Sequence, residues 1–411
     1  MTTRKQTFVI VGAGLAGAKA ADTLREEGFD GRVVLIGAEP EPPYERPPLS
    51  KEYLRGEAGR EKVWVHEDAG HYESAQIELR TETEAIALHA PGEVELSDGE
   101  RVAFDKLLLA TGAEPRRLAI PGGELEEIHY LRTVLDADRL HERITKAGRL
   151  AVVGAGWIGA EVAASARQTG CEVTLIEGAN VPLERVLGPE VGAIYRDIHT
   201  DHGVEFVSES SVERFEGERR VERVALSDGR SIECDFVAVG VGVSPRTQLA
   251  EAAGLRLDNG VVVDEMLQSS IHGIYAAGDL ANAYNPLLGR HVRVEHWANA
   301  LNQGPAAARS MLGKGEPYTH VPYFFSDQYD VGMEYSGYAV DWDEVVFRGD
   351  PASWEFIAFW LKAGRVLAGM NVNIWDVAED IQQLVRSGTP VDTSRLADPD
   401  TRLTDLIPTH A

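Results

Sequence analysis

Cysteine is nearly missing: two residues in 411, Cys171 and Cys234, widely separated and each in an apolar, strand-like context. With no CxxC pair anywhere, the chain offers neither a disulfide framework nor a structural zinc set, and no metal site is expected; a reducing cytoplasm suits it. Long apolar runs are also lacking, and none approaches the roughly 20 residues that a membrane helix needs. The opening MTTRKQTFVIVGAG has two basic residues and then an apolar run, but the run is short and turns at once into glycine, which reads as a first strand and not as a signal peptide. Cations are the scarcer charge, with 40 Lys plus Arg against 66 Asp plus Glu and a net charge of −26. Such acidity argues against nucleic acid and anionic membranes and for a soluble cytoplasmic protein. It leaves an acidic protein partner open, because docking depends on a local patch.

Glycine, in contrast, is generous at 41 residues, and the length is enough for two or three domains. The stretch FVIVGAGLAG (8–17) recurs as LAVVGAGWIG (150–159). In the first copy a buried strand over 8–11 runs into Gly12, Gly14 and Gly17, followed by a helix over 16–27, a stop at Gly28 and Gly31, and a second strand over 33–36. The spacing has a mechanism: the first glycine makes the tight turn, the second admits a pyrophosphate close to the backbone, and the third lets helix and strand pack. Glu39, just past the second strand, is the residue placed to bind a ribose. The second copy predicts a strand over 150–153, Gly154, Gly156 and Gly159, a helix over 157–168 and a strand over 172–176 that ends in Glu177. A carboxylate there favours the free ribose hydroxyls of NADH over the 2′-phosphate of NADPH. Arg185, close by in sequence, joins this nucleotide set and is the residue that could admit NADPH. Two further segments, LLLATGAEP (107–115) and GIYAAGDLAN (273–282), read as apolar strands ending in small-residue turns. They place Ala110, Thr111 and Gly112 at one strand end and Asp279, able to bind a polyol hydroxyl, at the other.

With these pieces in this order, the chain resembles the flavoproteins with two dinucleotide-binding domains, the class of glutathione reductase. The resemblance implies an α/β fold: two Rossmann-like domains, for FAD and NADH, plus a C-terminal α+β interface domain. The partition it suggests is 1–114 and 244–320 for the FAD domain, 115–243 for the NADH domain and 321–411 for the interface domain. In that last part, strands are predicted over 331–335, 344–347, 356–361 and 366–373, then a helix over 376–386 and a polar tail from 389 with one short helix.

Where disulfide reductases of that class carry redox cysteines, this chain reads YERPPLSKEYL (44–54). That run, with GAGWIGAE (154–161), PLERVLG (182–188), EHWANALNQG (295–304) and YFFSDQYD (323–330), is similar to the ferredoxin reductases of oxygenase systems and to apoptosis-inducing-factor-like proteins. The resemblance implies that Lys51 places an ammonium near the flavin N5 and O4 edge, that Glu161 pairs with it, that Arg46 counters the FAD pyrophosphate, and that Trp297 packs near the flavin pyrimidine end. Tyr323, Phe324 and Phe325 stand where relatives commonly carry tryptophan around the phenylalanines. The implied activity is electron transfer from NADH through FAD to a 2Fe-2S ferredoxin that feeds a cytochrome P450 or a ring-hydroxylating dioxygenase, by a monomer or weak homodimer. Arg290 and Arg293 are the candidates for a basic docking patch. The competing reading is an NADH-sensing flavoprotein of the apoptosis-inducing-factor type. An NADH oxidase or nitrite-reductase-like protein is disfavoured by the absent cysteine and the lack of a further iron–sulfur domain.

Overall fold

The computed structural model describes residues 5–89 and 92–407, so Met1 to Arg4 of the opening stretch lie outside the described residues. The chain divides into two compact units: Met1–Glu45, Arg60–Glu114 and Ser244–His320 in one, Arg46–Gly59, Pro115–Val243 and Val321–Ala411 in the other. Residues Arg46–Gly59, assigned with 1–114 on the sequence, group here with the second unit.

The first unit is built on a five-stranded parallel sheet in the order Ile274–Ala276, Lys106–Leu109, Thr7–Val11, Arg32–Ile36, Ile77–Arg80. Its inner strands are continuous apolar runs, as a parallel sheet covered on both faces requires. Helix Leu15–Glu26 follows the central strand and packs on helix Trp297–Met311, the pair approaching so closely at Gly304 that a Cβ there would lie 2.3 Å from the Ala16 carbonyl oxygen. Two small three-stranded sheets, one over Ala85–His89, Glu93–Leu96 and Arg101–Ala103 and one over Val261–Val263, Ala281–Asn285 and Arg290–Val292, complete it.

The second unit repeats the pattern, with a parallel sheet in the order Glu205–Val207, Glu172–Ile176, Arg149–Val153, Phe236–Val239, Ile128–Tyr130. Helix Trp157–Gln168 and strand Glu172–Ile176 have the bounds read from the sequence. Helix Glu184–Asp201 breaks at Gly188, whose φ of +80° and following Pro189 interrupt the ladder. The indole N–H of Trp360 donates to the Leu187 carbonyl at 3.0 Å and so satisfies an acceptor beside the break. The C-terminal part is a five-stranded antiparallel sheet, Tyr323–Gln328, Val331–Gly337, Arg365–Val372, Glu355–Lys362, Glu344–Asp350, with helix Ala378–Ser387 packed on it. Three of its strands run longer than the sequence pattern because hairpin pairing carries the ladder past the apolar residues, Arg365–Val372 has the expected length one residue earlier, and the edge strand Tyr323–Gln328 was not expected. The tail holds two helical turns, Thr393–Ala397 and Leu403–Leu406, where one was expected. Among the described residues no helix is long and apolar enough to cross a membrane.

Candidate active site: two nucleotide cradles and a buried lysine–glutamate pair

All five strands of the first sheet are parallel, so their carboxyl ends share one edge. The chain leaves Thr7–Val11 toward Arg32–Ile36 and continues from the adjacent Lys106–Leu109 to Ile274–Ala276 on the opposite side, and this reversal opens the crevice where such sheets bind ligands. Gly12, Ala110 to Gly112 and Gly278–Asp279 all sit at that edge. Gly12 has φ +116°, and a Cβ on it would lie 2.0 Å from the Ala110 carbonyl oxygen; one on Gly17 would lie 2.0 Å from the Gly12 carbonyl oxygen. Gly14 is different: its Cβ would meet nothing within 4 Å, and it starts helix Leu15–Glu26 with no side-chain cap. An uncapped helix N-terminus behind an open glycine is the cradle that a pyrophosphate fills. The residues present therefore fit a dinucleotide. The Thr111 hydroxyl donates to the Arg246 carbonyl at 2.9 Å and the Arg246 N–H to the Gly112 carbonyl at 3.0 Å, which pins that turn. Glu39 accepts a hydrogen bond from the Tyr44 phenol.

The second unit has the same construction. A Cβ on Gly154 would lie 2.5 Å from the Gly240 carbonyl oxygen and one on Gly159 1.9 Å from the Gly154 carbonyl oxygen, while Gly156 meets only the Gly240 oxygen at 4.0 Å. Gly156 begins the uncapped helix Trp157–Gln168. Glu177 is held at the strand end by the N–H groups of Ala155 (2.6 Å) and Ala179 (3.0 Å), so its carboxylate is already oriented beside the glycine turn. Arg185 is exposed on the first turn of helix Glu184–Asp201. Gly240, not singled out in the sequence, closes this edge; the signal was VAVGVG (237–242), an apolar strand running into small residues as LLLATG does.

Lys51 and Glu161 meet inside the second unit. Lys51 Nζ lies 2.8 Å from Glu161 Oε2, with the two side chains 8% and 5% exposed. Burying an ion pair costs desolvation that Coulomb attraction alone does not recover, so the remaining lone pairs and protons need partners. They have them: the Ser50 hydroxyl donates to Glu161 Oε2 at 2.5 Å, the Ser326 hydroxyl donates to Glu161 Oε1 at 2.7 Å, and Lys51 Nζ donates to the Pro47 carbonyl at 3.3 Å. Helical spacing places the groups. Trp157, Glu161 and Ser165 lie four apart on one helix face. The first packs on Phe324 at 5.0 Å, the second takes Ser326, and the third donates to the Ser50 carbonyl at 2.6 Å. Four helical residues rise roughly 6 Å and two strand residues roughly 6.6 Å, so Trp157/Glu161 match Phe324/Ser326 in step. Phe325 places its ring centroid 5.7 Å from Lys51 Nζ, and Phe324 stacks on Tyr335 at 4.6 Å. Tyr323 donates its phenol to Glu334 at 2.7 Å. Arg46, at the start of the PPLSK turn, donates to the Arg132 carbonyl. Ser50, Ser165 and Ser326 were missed as holders of the pair, although two of them stand inside motifs already noted.

The remaining residues fall elsewhere. Trp297 opens helix Trp297–Met311, but His296 caps it, its Nδ1 accepting from the Ala298 N–H at 3.2 Å, so that amide is already used. Arg293 corrects the docking patch: its side chain is 7% exposed and tied to the Asp279 carbonyl, Asn259 Oδ1 and Glu295, which leaves it unsuited to meet a partner. Arg290 is exposed. Both cysteines are buried free thiols, and burial pushes Cys234 up to about 12 and Cys171 also upward, away from the reactive thiolate.

Comparison with known proteins agrees with this geometry. Residues 6–304 match the family of pyridine nucleotide-disulphide oxidoreductases, and residues 323–407 match the reductase C-terminal family. The chain is 40% identical over 394 residues to the anthranilate 1,2-dioxygenase system ferredoxin–NAD(+) reductase component of Burkholderia cepacia, covering 95% of this chain and 97% of that one. It is 37% identical to putidaredoxin reductase of Pseudomonas putida, covering 97% and 96%. The reductase in the crystal structure of a covalent putidaredoxin reductase–putidaredoxin complex superposes with a TM-score of 0.95 at 36% identity, covering 98% of this chain and 99% of that one. Two glycine cradles, a buried lysine–glutamate pair in place of a cysteine relay and a matching C-terminal sheet thus converge: the chain belongs to the pyridine nucleotide-disulphide oxidoreductase family, in its branch of oxygenase-system ferredoxin reductases.

Proposed function

We propose that this protein passes electrons from NADH through FAD to a 2Fe-2S ferredoxin that serves a cytochrome P450 or a ring-hydroxylating dioxygenase. Gly12, Gly14, Gly17, Glu39, Ala110, Thr111, Gly112, Asp279 and Trp297, with Arg46 and Lys51, are the residues proposed to hold FAD. Gly154, Gly156, Gly159, Glu177 and Arg185 are those proposed for NADH, in domains bounded as the sequence partition has them. FAD, when bound, supplies the conversion of a two-electron hydride donor into two one-electron deliveries. The chain's own contribution is position and charge. Lys51 offers a fixed ammonium, kept in place by Glu161 and its two serines, that favours an electron-rich neighbour. Glu177, oriented by two backbone amides, accepts from ribose hydroxyls and repels a 2′-phosphate, which supports NADH over NADPH.

The observation that carries the reading is the buried Lys51–Glu161 pair in a chain whose only two thiols are buried and unpaired. Electrons have no cysteine relay to pass through, which supports direct delivery to a docked one-electron carrier. The names of the relatives favour this over the sensor reading. Action as a cytoplasmic monomer or weak homodimer belongs to the same proposal. The test is NADH-driven cytochrome c reduction by the FAD-loaded protein with and without a 2Fe-2S ferredoxin, and with NADPH in parallel. Strong dependence on both NADH and ferredoxin is expected; flavin reduction by NADH with no acceleration by any ferredoxin of a varied panel would overturn the carrier assignment.

A further inference from the structure

The first unit holds a cluster that neither cradle uses. Asp22, on helix Leu15–Glu26, has a side chain only 10% exposed. His66 Nε2 lies 2.9 Å from its Oδ2 and His71 Nε2 lies 2.8 Å from its Oδ1. The two imidazoles stack at 3.5 Å between centroids, 16° from parallel. Tyr72 stands edge-on to both rings, and its Oη is buried with no hydrogen-bond partner among the described residues. Among the described residues this is the one group of three or more His, Cys, Asp and Glu side chains whose ligand atoms all lie within 4.8 Å of one another. A cavity of about 440 Å³, lined also by Lys19, Leu301, Pro305 and Arg309, opens beside it.

Both imidazoles turn the same nitrogen, Nε2, toward the one carboxylate, each on its own oxygen. Two imidazole nitrogens and one carboxylate oxygen are the donor set of a divalent transition ion. Calcium and magnesium prefer all-oxygen shells and are disfavoured by the two nitrogens. The cavity has room for the water that completes a three-residue set.

We propose that Asp22, His66 and His71 form a binding site for a divalent transition-metal ion of the zinc class, which ties the segment carrying the two histidines to the first fingerprint helix. Donor atoms around a tetrahedral ion with bonds of ~2.0–2.1 Å stand roughly 3.3 Å apart, so the two rings, stacked 16° from parallel and resting on different carboxylate oxygens, turn out of that stack to face one ion. The site is separate from the proposed electron transfer and stands or falls independently of it.

The test uses the full-length, FAD-loaded protein stripped of metal by chelation and dialysed to equilibrium against graded zinc, with bound zinc counted by atomic emission. Wild type is expected to saturate with one zinc per chain and to unfold at a higher temperature when zinc is present. Asp22→Asn and the double variant His66→Gln/His71→Gln are expected to lose both effects, while His89→Gln, at an imidazole paired with Glu95 instead, keeps them. Circular dichroism confirms that each variant is folded; should Asp22→Asn fail to fold, the histidine double variant decides. Absence of saturable uptake by wild type, or uptake undiminished in the folded variants, would overturn the site.

Discussion

Glu161 is the residue whose removal asks most of the structure. In Glu161→Met the Lys51 ammonium stays buried without its counter-charge, the Ser326 hydroxyl loses its acceptor and the Ser50 hydroxyl keeps only the Pro47 carbonyl at 3.4 Å. Breaking a buried pair from one side costs about 3–5 kcal/mol. The two hydroxyls add roughly 1 kcal/mol each, so a loss of about 5 kcal/mol or more is expected. Lys51→Met costs less, about 3 kcal/mol, because Glu161 keeps two hydroxyl donors. The double variant holds no unpaired charge and loses only the hydroxyl part, about 2 kcal/mol. The cycle therefore closes with a coupling well above 1 kcal/mol, the sign of a pair that acts as one unit. Urea unfolding of the four proteins, followed by far-ultraviolet circular dichroism at fixed nucleotide concentration, measures each corner. Single variants that each cost less than about 1 kcal/mol and add without coupling would refute the argument, since only a solvent-screened pair behaves so.

The two glycines of the first turn should separate folding from cofactor retention. Gly12→Ala collides with the Ala110 backbone and is expected to yield little folded protein, whereas Gly14→Ala, with open space before it, folds by circular dichroism but purifies with much less flavin. Glu177→Arg should shift the ratio of kcat/KM values toward NADPH by about tenfold or more, equivalent to roughly 1.4 kcal/mol; an unchanged ratio would sink the role given to that carboxylate. His199 is buried and burial holds its imidazole down at about 4, so the unfolded chain takes up the proton first. Stability is then present above the ordinary imidazole value near 6.5 and drains away as pH falls toward 4, by ~1.4 kcal/mol per pH unit. Urea midpoints of wild type should show that slope and His199→Gln should flatten it. Cys171→Ser with Cys234→Ser should leave ferredoxin-dependent turnover intact, as measured by cytochrome c reduction, because neither buried thiol lies in an electron relay.

What could be read without coordinates follows from how far apart the cooperating residues lie. Helix Trp157–Gln168 and strand Glu172–Ile176 were legible to the residue because a glycine turn, a helix and a strand are fixed by neighbours a few positions away. The short meander strands over Ala85–His89, Glu93–Leu96 and Arg101–Ala103 were not, since three to five residues carry too little alternation to stand out. Lys51 and Glu161 are far apart in the chain, and nothing local announces their bond; only resemblance brought them together, and it said nothing of Ser326, whose place depends on a strand meeting a helix in step. Arg293 shows the opposite failure. Its place in the chain beside the GIYAAGDLAN segment made it a docking candidate, but a guanidinium with five donors is also the group best able to bind several acceptors at once, and the fold used it that way on Asp279, Asn259 and Glu295. The same limit hid Asp22, His66 and His71, which no ligand-spacing pattern joins and which meet only because helix Leu15–Glu26 lies beside the stretch that runs from His66 into the short helix His71–Ser74. Composition bounds how many charges a surface can hold, while tertiary pairing decides which of them a partner or a metal ion ever meets.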